Sequence, residues 1–426
     1  MEKLITLAKK LYPINRSITG KGIIQTLKIV KKKHLPKLNI KKIRSGTKVY
    51  DWRIPPEWNI KNAYIKDESG KKIVDYKRNN LHIVSYSRKI SKYVDKKELD
   101  KHLFSIPKKP KAIPYVTSYY KSFWGFCISH KERKKIKGNK FFVHIDSNFN
   151  KKGHLPYGEL YLKGKSSKEI LISTYICHPS MANNEISGPV VSTFIAKYCK
   201  NIRKKYSMRF IFVPETIGAI AYINKNFKNL KRNVIASYCL TCIGDERNYS
   251  IILSKYGNDL SDLTALEALK KLKIKYKKYT YLDRGSDERQ FNSFGIEVPM
   301  TVISRTKFGN YPEYHTSLDN FSIVTENGLK GGYRVVKKIV NLLQNKILPY
   351  SKIICEPMLS KRKLYPTRSA LSKSKIDQNI RNILSFMSYS NGKNDLEKIS
   401  NLISLSKSET KKIFKLLLKQ KLIIEL

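Results

Sequence analysis

The chain is short of cysteine, of acidic residues, of histidine and of long apolar runs, and each shortage excludes something. Six cysteines scattered through 426 residues do not read as a disulfide framework. The one pair with CxxC spacing, Cys239 and Cys242, falls in an apolar strand-like run, where positions three apart face opposite sides, so metal or redox use of that pair is not expected. A reducing cytoplasm is the expected setting. No uninterrupted apolar run nears the roughly 20 residues needed to cross a bilayer. The opening MEKLITLAKKLYPINRSITG has lysines inside an amphipathic pattern and does not read as a secretory signal.

Acidic residues number only 33 against 85 Lys+Arg, which leaves a formal charge of +52. Such a field would draw nucleic acid, anionic lipid or acidic substrates. The excess is mostly lysine, spread along the whole chain and accompanied by much Ile, Asn and Tyr, the mixture an AT-rich genome produces. A dedicated phosphate-binding surface would concentrate the charge and favour arginine. Charge alone therefore selects no function. What is abundant is core material: 41% hydrophobic and 11% aromatic residues exclude a disordered polyelectrolyte, and the length calls for two or three domains.

Apolar positions recur at helical spacing through Leu4, Leu7, Ala8 and Leu11 and again through Ile23, Ile24, Leu27 and Val30, which predicts two helices broken by the turn region Pro13–Gly20. Short strands punctuated by Pro and Gly follow, as in DWRIPPEWNI and LHIVSYS, and predict a small β-rich unit. Strand-like runs then alternate with helices: FFVHI, EILISTYI, RFIFV, VIASYCLTCI, YSIIL and VPMTVI, with helical stretches at Gly188–Lys200, Ile217–Phe227 and Asp259–Leu272. That alternation predicts an α/β domain with a parallel or mixed sheet covered on both faces, its ligand site at the carboxyl ends of the strands. The expected boundaries are 1–45 with 115–348 for the α/β domain, 46–114 for the β-rich insertion, 349–375 for a linker or strap, and 376–426 for a last unit. In that unit Ile380–Met387, Asp395–Ile403 and Ser408–Leu418 read as helices and LIIEL as a strand, the outline of a winged helix-turn-helix whose third helix carries Lys411, Lys412, Lys415 and Lys419. A small helical docking module has the same outline.

Only eight histidines are present, so each setting can be weighed. His178, in TYICHPSMANNEISG, and His315, in EYHTSLDN, both lie beyond the carboxyl end of a predicted strand. Glu215 follows RFIFVP and opens TIGAIAYI, where a carboxylate also serves as a helix cap. Taken singly, each has an ordinary structural reading. Cys177 is assigned to the core because adjacent strand residues face opposite ways, and His144 with Asp146 is assigned to the end of a hairpin. Arg284, Arg289 and Arg305 lie in loops feeding the same face, where an arginine fork could take a carboxylate or phosphate or could be plain solvated surface.

Together, DWRIPPEWNI, YICHPSMANNEISGP, VPETIGAIAY, GSDERQF, YPEYHTSLDN and EPMLSKRKLYPT resemble the co-catalytic zinc aminopeptidases of the M28 type. The match is closer still to the bacterial aminopeptidase-like family DUF4910, over nearly the full chain. The resemblance implies an M28-like mixed sheet flanked by helices, an inserted β-rich domain of the DUF2172 type and a C-terminal winged helix. It implies zinc-dependent hydrolysis of a peptide or amide bond, in a setting of surface-polysaccharide biosynthesis. It places His178 and His315 at the first and last histidine ligands, Glu215 at the general base and Asp287 at an aspartate supporting the pocket. Asn184 falls on the bridging aspartate, Thr216 on a second, metal-binding glutamate and Thr241 on an aspartate ligand, with Asp245 a few residues on. A one-residue shift would make Glu215 the ligand and leave Pro214 at the base. Two dications without the bridging carboxylate would repel each other. One zinc ion held by His178, His315 and either Glu215 or Asn184, or no ion at all, is therefore expected. The rival expectation is a ligand-binding regulator whose winged helix contacts DNA or a protein partner.

Overall fold

The computed structural model describes residues 3–365 and 375–426. Eight strands form the large sheet in the spatial order Asn39–Arg44, His154–Leu162, Tyr206–Val213, Ser166–Tyr175, Val234–Leu240, Met300–Ser304, Ser250–Ile252 and Lys277–Tyr279. The middle four run parallel, and antiparallel pairs flank them on both sides. Along Ser166–Tyr175 the side chains alternate between two cores. Ile170 and Ile172 pack with the helices Leu4–Leu11, Lys21–Lys33, Ser187–Lys200 and Glu326–Gln344, whereas Leu171 packs with Ile217–Asn233 on the other face. Burial on both faces is why this strand and Tyr206–Val213 read as nearly continuous apolar runs.

From Ser166–Tyr175 the chain steps to one neighbour, Tyr206–Val213, and then crosses to the other, Val234–Leu240. The switch in direction opens a crevice at the carboxyl end of Ser166–Tyr175, where ligands collect in such sheets. The helix Ser187–Lys200 starts hard against this end. A Cβ on Gly188 would stand 2.4 Å from both the Leu240 carbonyl oxygen and Thr174 Oγ1, so only glycine lets the helix sit there. Immediately before it, Ala182–Ile186 forms a π-helical turn, a geometry that concentrates at functional sites.

The inserted unit is an antiparallel sheet in the order Lys72–Asp75, Glu57–Lys66, Lys140–Asn150, Ile90–Asp95. Its central strand Lys140–Asn150 contains FFVHI, so the boundary expected at 114 is corrected to about residue 150, and His144 and Asp146 lie within a strand rather than at a hairpin end. The cause is pairing: that strand matches Glu57–Lys66 from Glu57↔Asn150 to Lys66↔Phe142, a partnership between distant segments that local pattern cannot reveal. The core of this unit, with Trp58, Ile65 and Val143, continues onto Ile217, Ile220 and Ala221 of the α/β domain.

At the C-terminus, helices Lys375–Tyr389, Leu396–Leu402 and Lys407–Lys419 precede the strand Ile423–Glu425. Ser406 caps the third helix in a reciprocal box with Glu409. Pro349–Ser351 pairs with Ile423–Glu425, and Leu359 is buried in this unit's core, so the expected linker 349–375 contributes structure to the winged unit. Its stretch 366–374 lies outside the described residues. The unit docks on the α/β domain through Lys346, whose ammonium meets Asp395 at 2.5 Å and Glu267 at 2.9 Å, and through Lys205 to Glu425 at 2.7 Å. Among the described residues no helix is long and apolar enough to cross a membrane.

Candidate active site

His178 leaves the end of Ser166–Tyr175 and is held on one side by two buried groups. Its Nδ1 and its backbone N–H both meet Glu185 Oε2 at 3.0 Å, and Arg16 Nε lies 3.1 Å from Glu185 Oε1. Arg16 also donates to the carbonyls of His178 and Leu11, tying the N-terminal segment to the site. With Nδ1 engaged, Nε2 is the free nitrogen, and it lies 3.5 Å from Glu215 Oε2. Burial pulls the His178 pKa down, but the bond to Glu185 and the charge of Glu215 outweigh it, and the net shift is upward.

Glu215 is presented by a strained turn. Thr216 has φ 62° and ψ −80°, and the Ile217 N–H reaches back to the Glu215 carbonyl at 2.8 Å, a γ-turn of the rare positive-φ kind on a β-branched residue. Two side chains clamp it: the Thr216 N–H donates to Asp287 Oδ1 at 2.8 Å, and Arg289 Nη2 donates to Thr216 Oγ1 at 2.7 Å. Burial raises the Glu215 pKa against the opposing charges of His178 and Arg289, the direction suited to a general base near neutral pH. Asp287 is fully buried and pushed far up by burial and by the charge of Glu215. It braces the turn and does not line the cavity.

His315, at φ 55°, stacks on Tyr314 with ring centroids 3.9 Å apart, and its ring lies 5.5 Å from that of His178. Burial, and then repulsion from His178, lower its pKa to about 3, so its imidazole is neutral, the form that binds metals. These groups open onto a cavity of about 500 Å³ roofed by Trp52, Tyr115 and Tyr120. DWRIPPEWNI is expected to serve the β-rich unit as core and turn. Trp58 fits that, at 2% exposure, but Trp52 forms part of the cavity wall. Cys177 also lines the cavity and accepts the Glu215 N–H at 3.1 Å, because strand alternation ends at Tyr175. Burial holds its thiol protonated, so a core-like role survives although its placement differs.

Which ions would these residues fit? Two donors about 2.0–2.1 Å from one zinc at tetrahedral angles stand roughly 3.3 Å apart. His178 Nε2 and Glu215 Oε2, at 3.5 Å, match that spacing. Among the described residues the one group of three His, Cys or carboxylate donors within 4.8 Å of one another is Cys177, His178 and Glu185, and His315 is outside it. A second ion does not fit. Asn184 Oδ1 accepts the Tyr175 hydroxyl at 2.8 Å, Tyr175 Oη meets Thr241 Oγ1 at 2.6 Å, and none of these three side chains carries the negative charge a second ion needs. Asp245 does not reach it, being consumed by Asn183 Nδ2, the Arg247 N–H and both the N–H and hydroxyl of Thr306. Asn184 Nδ2 is left buried without a partner; a half-turn of this amide would leave its oxygen free instead.

Sequence reasoning missed Arg16 and Glu185. Glu185 lay within a quoted motif, seven residues after His178, but Arg16 gave no local signal. Arg305 is consumed structurally, donating to the Asn248 carbonyl and stacking over Tyr249, and Arg284 lies exposed beside Tyr281. Of the three arginines only Arg289 lines the cavity.

A mixed sheet with a crevice at its switch point, bearing histidine and glutamate side chains, defines an aminopeptidase-like α/β fold of the M28 type. The zinc aminopeptidase of Bacillus subtilis aligns with a TM-score of 0.57 at 14% identity over 80% of this chain and 95% of its own. The peptidase M28 precursor of Shewanella amazonensis aligns at 0.56 and 10% identity over 84% and 95%. At such identities the likeness concerns the fold. Residues 5–346 match the family described as a domain of unknown function, DUF4910, and the chain belongs to it. Residues 348–425 match a winged helix-turn-helix. A Clostridium acetobutylicum protein, provisionally named for polysaccharide biosynthesis with an aminopeptidase-like domain, is 40% identical over 85% of this chain and 83% of its own. A crystal structure from the same organism, provisionally named a peptidase, has a TM-score of 0.80 and 36% identity over 99% and 96%.

Proposed function

We propose that the chain is a hydrolase of peptide or amide bonds using a single zinc ion, with a substrate linked to surface-polysaccharide biosynthesis and a cytoplasmic site of action. The observation that carries this reading is the 3.5 Å approach of His178 Nε2 to Glu215 Oε2 in the wall of the cavity. His178 and His315 would hold the ion, with either Glu215 or, its amide turned, Asn184 as the third ligand. Bound there, zinc would supply Lewis-acid polarisation and an acidified water. Glu215 then accepts a proton from the attacking water and returns it to the leaving amine. Glu185 and Arg16 fix the His178 ring and its tautomer. Asp287 and Arg289 hold the turn that aims Glu215, and Trp52, Tyr115 and Tyr120 line the cavity.

Elemental analysis of the purified full chain tests this. Up to one zinc per chain is expected, lost in both His178→Ala and His315→Ala. Glu215→Gln is expected to keep the metal while lowering amide turnover by about 10²–10⁴-fold. Absence of zinc after incubation with the ion would sink the reading, and loss of the metal in Glu215→Gln would make Glu215 a ligand instead.

A second reading, nucleic-acid contact, is favoured by the exposed row Lys411, Lys412, Lys415 and Lys419 on the helix capped by Ser406. In a salt titration of duplex DNA binding by the full chain, replacing three of these lysines by glutamine should flatten the slope of log K against log salt by about 3. An unchanged slope would remove this helix as the contact.

A further inference from the structure

We propose that Arg289 forms a subsite for an anionic group of the ligand, a carboxylate or phosphate oxyanion, on the cavity wall beside Glu215. The inference rests on the hydrolase reading for its place in a substrate, but not for the binding itself.

Arg289 lines the cavity, and only one of its donors is accounted for by a side chain: Nη2, on Thr216 Oγ1 at 2.7 Å. Its Nε is buried and has no hydrogen-bond partner. No carboxylate among the described residues forms an ion pair with it, although two lie near. Asp287 directs Oδ1 to the Thr216 N–H, and Glu215 directs Oε2 to His178. A guanidinium nitrogen shielded from water without an acceptor is costly, and the residue that carries it lines the cavity. An oxyanion in the cavity would give this guanidinium the anionic partner that no ion pair among the described residues supplies, the kind of partner arginine takes best. The other two candidate arginines cannot serve, since Arg305 is spent on backbone carbonyls and a ring and Arg284 faces solvent away from the cavity. The competing role for Arg289 is purely mechanical, a clamp on the strained Thr216 turn. Ligand selectivity separates the two, because a clamp holds the site equally for charged and neutral ligands.

The test is calorimetric titration of the full chain at physiological salt with three probes: N-acetylglycine, 2-hydroxyethyl phosphate and the neutral N-acetylglycinamide. The wild type is expected to bind one of the anions at least tenfold more tightly than the neutral amide, and which anion wins distinguishes carboxylate from phosphate. Arg289→Gln should lose at least tenfold in affinity for that anion while leaving the neutral probe unchanged, and Arg289→Lys should fall between. Arg284→Gln, which removes the same charge from a nearby loop, should change nothing. Equal binding of anion and amide, no anion binding at millimolar concentration, or unchanged anion affinity in Arg289→Gln would overturn the inference. Equal losses for anion and amide would reduce Arg289 to the clamp. Anion selectivity without any zinc-dependent amide turnover would leave Arg289 standing and remove the hydrolase reading instead.

Discussion

Replacing Arg16 by methionine, which keeps much of the volume and removes the charge, should leave Glu185 facing His178 with no permanent counter-charge. Both side chains are 0% exposed and their closest atoms are 3.1 Å apart. At an effective dielectric of about 20 such a pair attracts by roughly 5 kcal/mol, most of which is set against the cost of taking both charges out of water. Burial itself lowers the Arg16 pKa, and Glu185 acts against that. The net worth of the pair is therefore small, but breaking it from either side is expensive, about 3–5 kcal/mol. Glu185→Gln should cost a similar amount, because it strands a guanidinium that also holds the carbonyls of Leu11 and His178. The double variant should cost less than the two singles added together, with a coupling of about 2 kcal/mol. Urea unfolding of the four proteins measures this cycle. Single-variant losses under about 1 kcal/mol, or strict additivity, would refute the buried-pair account. The same variants carry a second readout: without its partner at Nδ1, His178 should bind zinc about 10–100-fold more weakly in Glu185→Gln.

Asp319, fully buried beneath the π-turn, accepts the N–H groups of Asn183 and Asn184, yet burial lifts its pKa to about 6. Its folded form thus holds a proton that the unfolded form releases near 4, so stability should fall as pH rises from about 4 to 6, by about 3 kcal/mol in total. Melting curves at pH 4.5 and 7 should show about 2 kcal/mol of that loss in the wild type relative to Asp319→Asn, and identical pH slopes would contradict it. Lys346→Met should loosen the winged unit from the α/β domain, since the Lys346 ammonium, 13% exposed, holds both Asp395 and Glu267 while, among the described residues, only Lys205 with Glu425 remains as an ion pair between them. Small-angle scattering would report a larger radius, and an unchanged profile would show that the remaining contacts, Lys205 with Glu425 among them, suffice. Thr216→Gly should relieve about 1–3 kcal/mol of backbone strain and lose the Arg289 contact, raising the melting point while lowering turnover; a fall in both would place the strain elsewhere.

The α/β pattern was legible because its cause is local. Strands buried on both faces must be apolar throughout, and the helices between them repeat every three to four residues, so RFIFV and the Ser187–Lys200 segment declare themselves. The third helix of the winged unit is expected at 408–418 and stands at Lys407–Lys419, its start set by the reciprocal cap between Ser406 and Glu409. His178, His315 and Glu215 stood out by position, each just beyond a strand end. Other features depend on segments far apart in the chain. Lys140–Asn150 belongs to the inserted sheet because of its register with Glu57–Lys66, a matter of pairing that its own alternation leaves open. Arg16 reaches Glu185 across 169 positions, and Arg289 reaches Thr216 across 73. The residue types fixed which ions the centre lacks the charge to hold. Which arginine faces the cavity, which aromatic ring roofs it and which carboxylate supports His178 were decided only when the sheet's switch in direction brought those segments to one crevice.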